Sequence, residues 1–373
     1  LIHTERLIQT LFELIRIDSE TGEEAAVSSF LKGKFSKLGF VLQEDQAKAI
    51  TGHGANNLIL TLPGTTAGTP IFFGTHMDTA CPGKRICPAI RNGYIVSDGR
   101  TILGADDKAG IAALIEAFTV VQAYRIPHAD LQIIITAGEE SGLLGARALN
   151  SDLILSQYGF ELDSVGPVGE ITIAAPFQAR IDVDLFAKAA KNDGMVPDSH
   201  GSALTMAKRA ITRMPLGRID SETTAGISRF AGNSDTHAAA GDHVYLLAEV
   251  RSLNRSKLDR QLNLMTRAFK QAAAEIGGTA GIRPMLVYPG YRFTPAEPIV
   301  RAAEAAVLSV GRKPRLCSSS GGSDANIFNE KGLTALNLGI GYEQIHTLRE
   351  KLPVSELVKT SELIMALMNQ ATV

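Results

Sequence analysis

The sequence predicts a two-part α/β protein: a layered mixed sheet flanked by helices, interrupted by an inserted α+β unit of ferredoxin-like βαββαβ order. Three observations predict it. The chain has 373 residues, more than one hydrophobic core usually serves, so two domains are expected. Helix-period and strand-period segments alternate through residues 1–170 and resume after 298. Between about 171 and 288 the texture changes to strands of period two. The expected partition is 1–172 with 287–373 for the layered domain and 173–286 for the insert.

The first helix shows Leu7, Leu11, Leu14 and Ile15 on one face, and apolar strands follow at Leu58–Leu62 and 71–75. Residues 108–124 read as a helix because Ile111, Leu114, Ile115 and Phe118 share a face, and Leu131–Thr136 reads as the next buried strand. In the insert, Ile181, Val183 and Leu185 alternate with Asp182 and Asp184, as in a half-buried strand. A helix over 202–214, strands over 223–230 and 243–253, a helix presenting Leu258, Leu262, Met265 and Phe269, and a strand over 283–288 complete the order. The helix Pro298–Ser309 and a strand over 334–338 return to the first texture, so the C-terminal segment completes the first domain.

Composition narrows the class of function. Lysine and arginine total 37 against 39 aspartates and glutamates, a formal charge of −2, too balanced for a nucleic-acid or polybasic membrane surface. A small-molecule partner is expected instead. Hydrophobic residues make up 45%, enough for a large core, yet no apolar run approaches the roughly 20 residues that span a bilayer. The first residues lack a basic segment followed by an apolar run, so no secretory signal is expected. Three cysteines, Cys81, Cys87 and Cys317, have no CxxC spacing. That argues against a disulfide framework or a thiolate metal site and fits a reducing cytoplasm.

Six short stretches carry the chemistry. The strand over 71–75 delivers His76-Met77-Asp78, and alternation sends His76 and Asp78 to the same side. The pair is either a zinc-binding imidazole oriented by a carboxylate or simply polar residues closing a strand. Gly104-Ala105-Asp106-Asp107-Lys108 opens a helix; one aspartate suffices as its cap, leaving the other for a cation. Ala137-Gly138-Glu139-Glu140 follows a buried strand, and adjacent carboxylates there repel unless cations or protons compensate them. Glu140 as ligand and Glu139 as general base divides the work, since a base must reach the water without being tied down. Asp163, in Phe160-Glu161-Leu162-Asp163-Ser164, and His346, in Gln344-Ile345-His346-Thr347, are weak signals in isolation. In Ser320-Gly321-Gly322-Ser323-Asp324-Ala325-Asn326, small residues let backbone amides approach a substrate carboxylate, with Gly322, Ser323 and Asn326 as candidates. This stretch lacks the Walker spacing, and no GxGxxG opens a helix after a strand, which leaves a Rossmann dehydrogenase as a weak alternative.

Taken together and in order, these motifs resemble the dizinc exopeptidase family that contains peptidase T, aminoacylase and glutamate carboxypeptidases, nearest its peptidase T-like branch. The resemblance covers nearly the whole chain. It implies two zinc ions, with cobalt or manganese as substitutes: Asp106 is shared, His76 and Asp163 complete one site, and Glu140 and His346 the other. It also implies Glu139 as the base, Asp78 behind His76, and a homodimer built through the insert, which acts as a lid. The expected reaction is hydrolysis of short peptides by an aminopeptidase. An N-acyl amino acid deacylase and a metal-binding homologue without activity are the alternatives.

One departure from the family pattern stands out. Relatives carry a lid histidine that reaches the partner's active site, whereas the matching stretch here reads Ala189-Ala190-Lys191-Asn192-Asp193-Gly194. Losing an oxyanion donor typically costs ~10²–10³ in rate unless it is replaced. Lys191, His200 and His237 are the candidate replacements.

Overall fold

In the first helix, α1 (Thr4–Ile15), Leu7, Leu11, Leu14 and Ile15 all turn inward. Arg6 grips buried Glu116 with two hydrogen bonds of 2.8 Å. The computed structural model describes residues 1–187, 202–232 and 243–371. After α1 come α2 (Ala25–Lys37), β1 (Val41–Glu44), α3 (Ala47–Thr51), β2 (Leu58–Leu62) and β3 (Ile71–His76). A small antiparallel pair, β4 (Ala89–Arg91) and β5 (Tyr94–Val96), precedes α4 (Ala105–Tyr124). Then follow β6 (Leu131–Thr136), α5 (Leu144–Ala148), β7 (Tyr158–Ser164) and β8 (Glu170–Ala175).

The insert comprises β9 (Phe177–Phe186), α6 (Ala203–Arg213), a two-residue β10 (Gly217–Arg218), β11 (Thr223–Gly232), β12 (His243–Ser252), α7 (Arg255–Ile276) and β13 (Thr279–Tyr288). The chain finishes with β14 (Tyr291–Arg292), α8 (Pro298–Ser309), β15 (Arg315–Ser318), α9 (Asp324–Glu330), β16 (Thr334–Gly339), β17 (Lys351–Pro353) and α10 (Val354–Ala371).

A nine-stranded mixed sheet runs in the order β1-β2-β6-β3-β7-β16-β8-β14, with β15 beside β8. Its centre is parallel, β6, β3, β7 and β16, and both β3 and β6 are buried at every residue. That is the condition under which a strand reads as a continuous apolar run. Alternation then sorts the side chains. Phe73, Ile133, Ile135, Phe160 and Leu162 join the core with α1, α4, α8 and α10. Phe72 points the other way and meets Phe328 of α9 edge-on at 5.7 Å.

In the insert, β9 buries Ala179, Ile181, Val183 and Leu185, and β12 buries Val244, Leu246, Ala248 and Val250. Its sheet order, β10-β11-β12-β9-β13, is the antiparallel arrangement of a ferredoxin-like unit with one short strand added. Helix α7 starts at Asn254, whose side chain accepts from the Lys257 amide, and stops at left-handed Gly277.

The chain divides into two compact units, Leu1–Ala174 with Arg292–Val373, and Ala175–Tyr291. These limits fall a few residues beyond the expected 173 and 286. Strand β8 pairs with β15 and β16 and so stays with the first sheet, while β13 runs along β9 as far as Tyr288.

Candidate dinuclear metal centre

The chemistry-bearing side chains converge at the ends of the central strands of the first unit. His76 is the last residue of β3. Its Nε2 lies 3.1 Å from Asp106 Oδ1 and 3.8 Å from Asp163 Oδ1. Its Nδ1 faces the backbone oxygen of Asp78 at 3.0 Å and that residue's carboxylate at 3.4 Å, which fixes the ring and turns Nε2 toward Asp106 and Asp163. Asp78 is fully buried and also accepts from the Thr21 hydroxyl at 2.8 Å and from the amides of Glu139 and Glu140 at 3.0 and 3.2 Å. One carboxylate thus orients the imidazole and holds the turn carrying the paired glutamates.

Asp106 and Asp107 precede the regular part of α4, both with non-helical backbone angles and joined by a cis peptide. The Asp107 carboxylate turns back to accept from the Gly110 amide at 3.3 Å and from the Thr75 hydroxyl, so it serves as the cap. Asp106 instead places Oδ1 3.1 Å from His76 Nε2 and Oδ2 3.1 Å from His346 Nε2. A carboxylate that faces two imidazoles with its two oxygens has the geometry of a ligand shared by two cations.

His346 Nε2 is also 2.8 Å from Glu140 Oε1. Its side chain is 49% exposed, against 1% for His76, so one flank of the centre is sealed and the other is open. Asp163 lies in β7, where the Tyr342 hydroxyl donates to its Oδ1 at 2.7 Å. Asn337 of β16 brackets the Asp163 backbone, donating to its carbonyl at 2.7 Å and accepting from its amide at 3.1 Å.

Burial raises the carboxyl groups of Asp107, Glu139, Glu140 and Asp163, and neighbouring carboxylates raise each of them further. Burial works against ionisation of Asp106 as well, but hydrogen bonds from His346 and His76 outweigh it and hold that carboxyl below the usual range. Hydrogen bonds to Asp106 and Glu140 lift His346 to about 10. So many carboxylates cannot all ionise at close quarters without compensating positive charge. His76, Asp106 and Glu140 offer ligand atoms all within 4.8 Å of one another. With His346 and Asp163 they make an all-nitrogen-and-oxygen donor set that fits zinc.

The remaining candidates are placed differently. Ser323 and Asn326 form a reciprocal capping box at the start of α9, and both are buried. They shape the loop. Asp324 pins it to β6 through the Thr136 hydroxyl, and burial raises this carboxyl to about 6. Gly322 is partly exposed. His237 lies outside the described residues, as do Lys191 and His200.

Several supporting residues have no strong sequence signal. The imidazole of His53 packs where a β-carbon on Gly138 would sit, and its Nε2 is 3.0 Å from Ser141 Oγ. The Asn57 side chain accepts from the Ala137 amide at 3.1 Å and donates to the Gly145 carbonyl at 2.8 Å, bracketing the Glu139–Glu140 turn. Tyr342 and Glu350 share a stretch with His346, and that proximity is the one hint the sequence offers.

Residues 72–370 match the model of Peptidase family M20/M25/M40. Aminopeptidase PepT from Bacillus cereus is similar throughout, with 48% identity, a TM-score of 0.92 and 100% of both chains covered. A tripeptidase from Staphylococcus aureus has 39% identity and a TM-score of 0.95, covering 100% of this chain and 99% of its own. Peptidase T from Listeria welshimeri is 25% identical, covering 96% of this chain and 97% of its own length.

Proposed function

The chain belongs to peptidase family M20/M25/M40, and from that premise we propose that it is a zinc-dependent aminopeptidase that removes the N-terminal residue of short peptides, tripeptides above all. The observation that carries the reading is the Asp106 carboxylate, with one oxygen 3.1 Å from each of two histidines. In this reading His76 and Asp163 hold one cation, Glu140 and His346 the other, and Asp106 is shared. When bound, two zinc ions, or cobalt or manganese in their place, acidify a water molecule and polarise the scissile carbonyl.

Glu139 takes the proton of the attacking water and returns it to the departing amine. Two features support that role. Its carboxylate has no hydrogen-bond partner among the described residues, and burial raises its proton affinity. Asp78 holds His76 and the Glu139 amide in register. The aminopeptidase and the tripeptidase to which the chain is similar support the substrate class.

We assign the insert to pairing two copies of the chain. Its sheet ends in β13, an edge strand with Met285 exposed. A reducing cytoplasm suits the three free cysteines, and no helix among the described residues is long and apolar enough to cross a membrane.

The test is hydrolysis by zinc-loaded protein of free-amine tripeptides, dipeptides and N-acetyl amino acids. Release of the N-terminal residue from tripeptides is expected. Preferential release of acetate from acylated amino acids would overturn the proposal in favour of a deacylase.

A further inference from the structure

Glu350 has no place in the ligand set, yet it is 2% exposed beside the centre. Its carboxylate accepts from four successive backbone amides: Leu103 and Gly104 on Oε2 at 2.8 and 2.9 Å, and Ala105 and Asp106 on Oε1 at 2.7 and 3.2 Å. Amides at a helix start have no intrahelical partner and form a natural cradle for an anion. Left-handed Gly104, at φ 70°, curves the cradle, and a β-carbon there would press on the side chains of Ile86 and Thr79 at 3.2 and 3.4 Å. Here the anion is built into the chain.

What the anchor joins gives it a consequence. The last amide of the cradle belongs to Asp106, the carboxylate facing both histidines, and His346 lies four residues before Glu350 in the sequence. Bonds within the loop shape it: Thr347 Oγ1 donates to the Gln344 carbonyl at 2.7 Å, and the Glu350 amide donates to the Thr347 carbonyl at 3.1 Å. Glu350 links that loop to the turn bearing Asp106. The sealed flank has separate supports, namely Asp78 on His76 and Tyr342 with Asn337 on Asp163.

We infer that Glu350 is a positioning residue that sets the spacing of Asp106 and His346 and thereby the affinity of the open, Glu140–His346 flank for its cation. This inference rests on the dinuclear reading proposed above.

The test is stepwise zinc affinity of the full chain, by competition with a chromophoric chelator, together with zinc content per chain. Wild type, Glu350→Ala, Glu350→Gln and His346→Ala are compared. Glutamine keeps the size but sets an NH₂ group against two donor amides. Wild type is expected to bind two zinc ions and His346→Ala to lose the weaker one. In both Glu350 variants the weaker affinity should fall by about 10–100-fold while the tighter one moves by no more than about threefold. Unchanged affinities at both steps, or equal losses at both as general destabilisation would give, overturn the inference. If Glu350→Ala does not fold, the glutamine variant carries the test. Fewer than two zinc ions on wild type would instead overturn the dinuclear reading, and this inference with it.

Discussion

Asp106 and Asp107 are the same residue type in neighbouring positions, and geometry alone separates their roles. One caps α4; the other faces two imidazoles. Asp106→Asn is therefore expected to weaken the binding of both cations, whereas Asp107→Ala should retain both and cost about 0.5–2 kcal/mol of stability through the lost cap. Zinc content and chemical denaturation of the two variants check this. At this scale the sequence was informative where chemistry conflicts with local structure. The adjacent glutamates Glu139 and Glu140 at a strand end ask for positive charge, and His76 with Asp78 follows from alternation along β3. It could not choose between the two aspartates, because either is a reasonable cap. Glu350 was silent because its role depends on meeting amides 244 to 247 positions away in sequence.

Among the elements, the turn after β6 is held by side chains from a distant loop. Asn57 brackets it and has its own partner in Asp45, to which it donates at 2.7 Å. Asn57→Ala leaves the Ala137 amide unpartnered, at a cost of about 1–3 kcal/mol. It should lower both stability and kcat; unchanged denaturation and kinetics would contradict the bracket. In the insert, Arg283 donates to Asp184 at 2.6 Å, and that hydrogen bond holds the Asp184 carboxyl below its usual range. A lowered acid group contributes stability above its unfolded pKa, near 4, and loses it as pH falls through the folded value. Asp184→Asn should thus be the less stable protein at neutral pH, by the ~0.2–1 kcal/mol typical of exposed pairs. The gap should close in strong acid, and melting curves at several pH values would show whether it does.

Regular patterns made some elements legible. The alternation of Ile181, Val183 and Leu185 gave β9, and the apolar run Leu131–Thr136 gave β6. Helix α10 is absent from the sequence-based reading because buried Glu356, Thr360 and Ser361 interrupt its apolar face. The three-residue strands β4, β5 and β17 are too short to show a period.

For the molecule as a whole, two units of different texture divide the work proposed here: the first carries every ligand of the centre, and the second pairs the copies. Deleting residues 175–291 is expected to give a monomer in sedimentation, and a persisting dimer would place the interface on the first unit. Zinc that binds the folded state alone should raise the melting temperature, by about 2.7 kcal/mol of added stability at a hundredfold excess over Kd. The two-domain plan was readable from length and texture, since an insert with period-two strands interrupts an alternating α/β pattern. The convergence of the ligand-bearing stretches on one centre was expected only through the family resemblance, because it depends on the parallel order of β6, β3 and β7.

The most direct test of the central claim is tripeptide hydrolysis by zinc-loaded Glu139→Gln with zinc content measured on the same sample. Two zinc ions per chain and a rate reduced by about 10²–10⁴-fold are predicted. Turnover at the wild-type rate with both ions in place would show that Glu139 is not the base, and loss of zinc together with activity would make it a ligand instead.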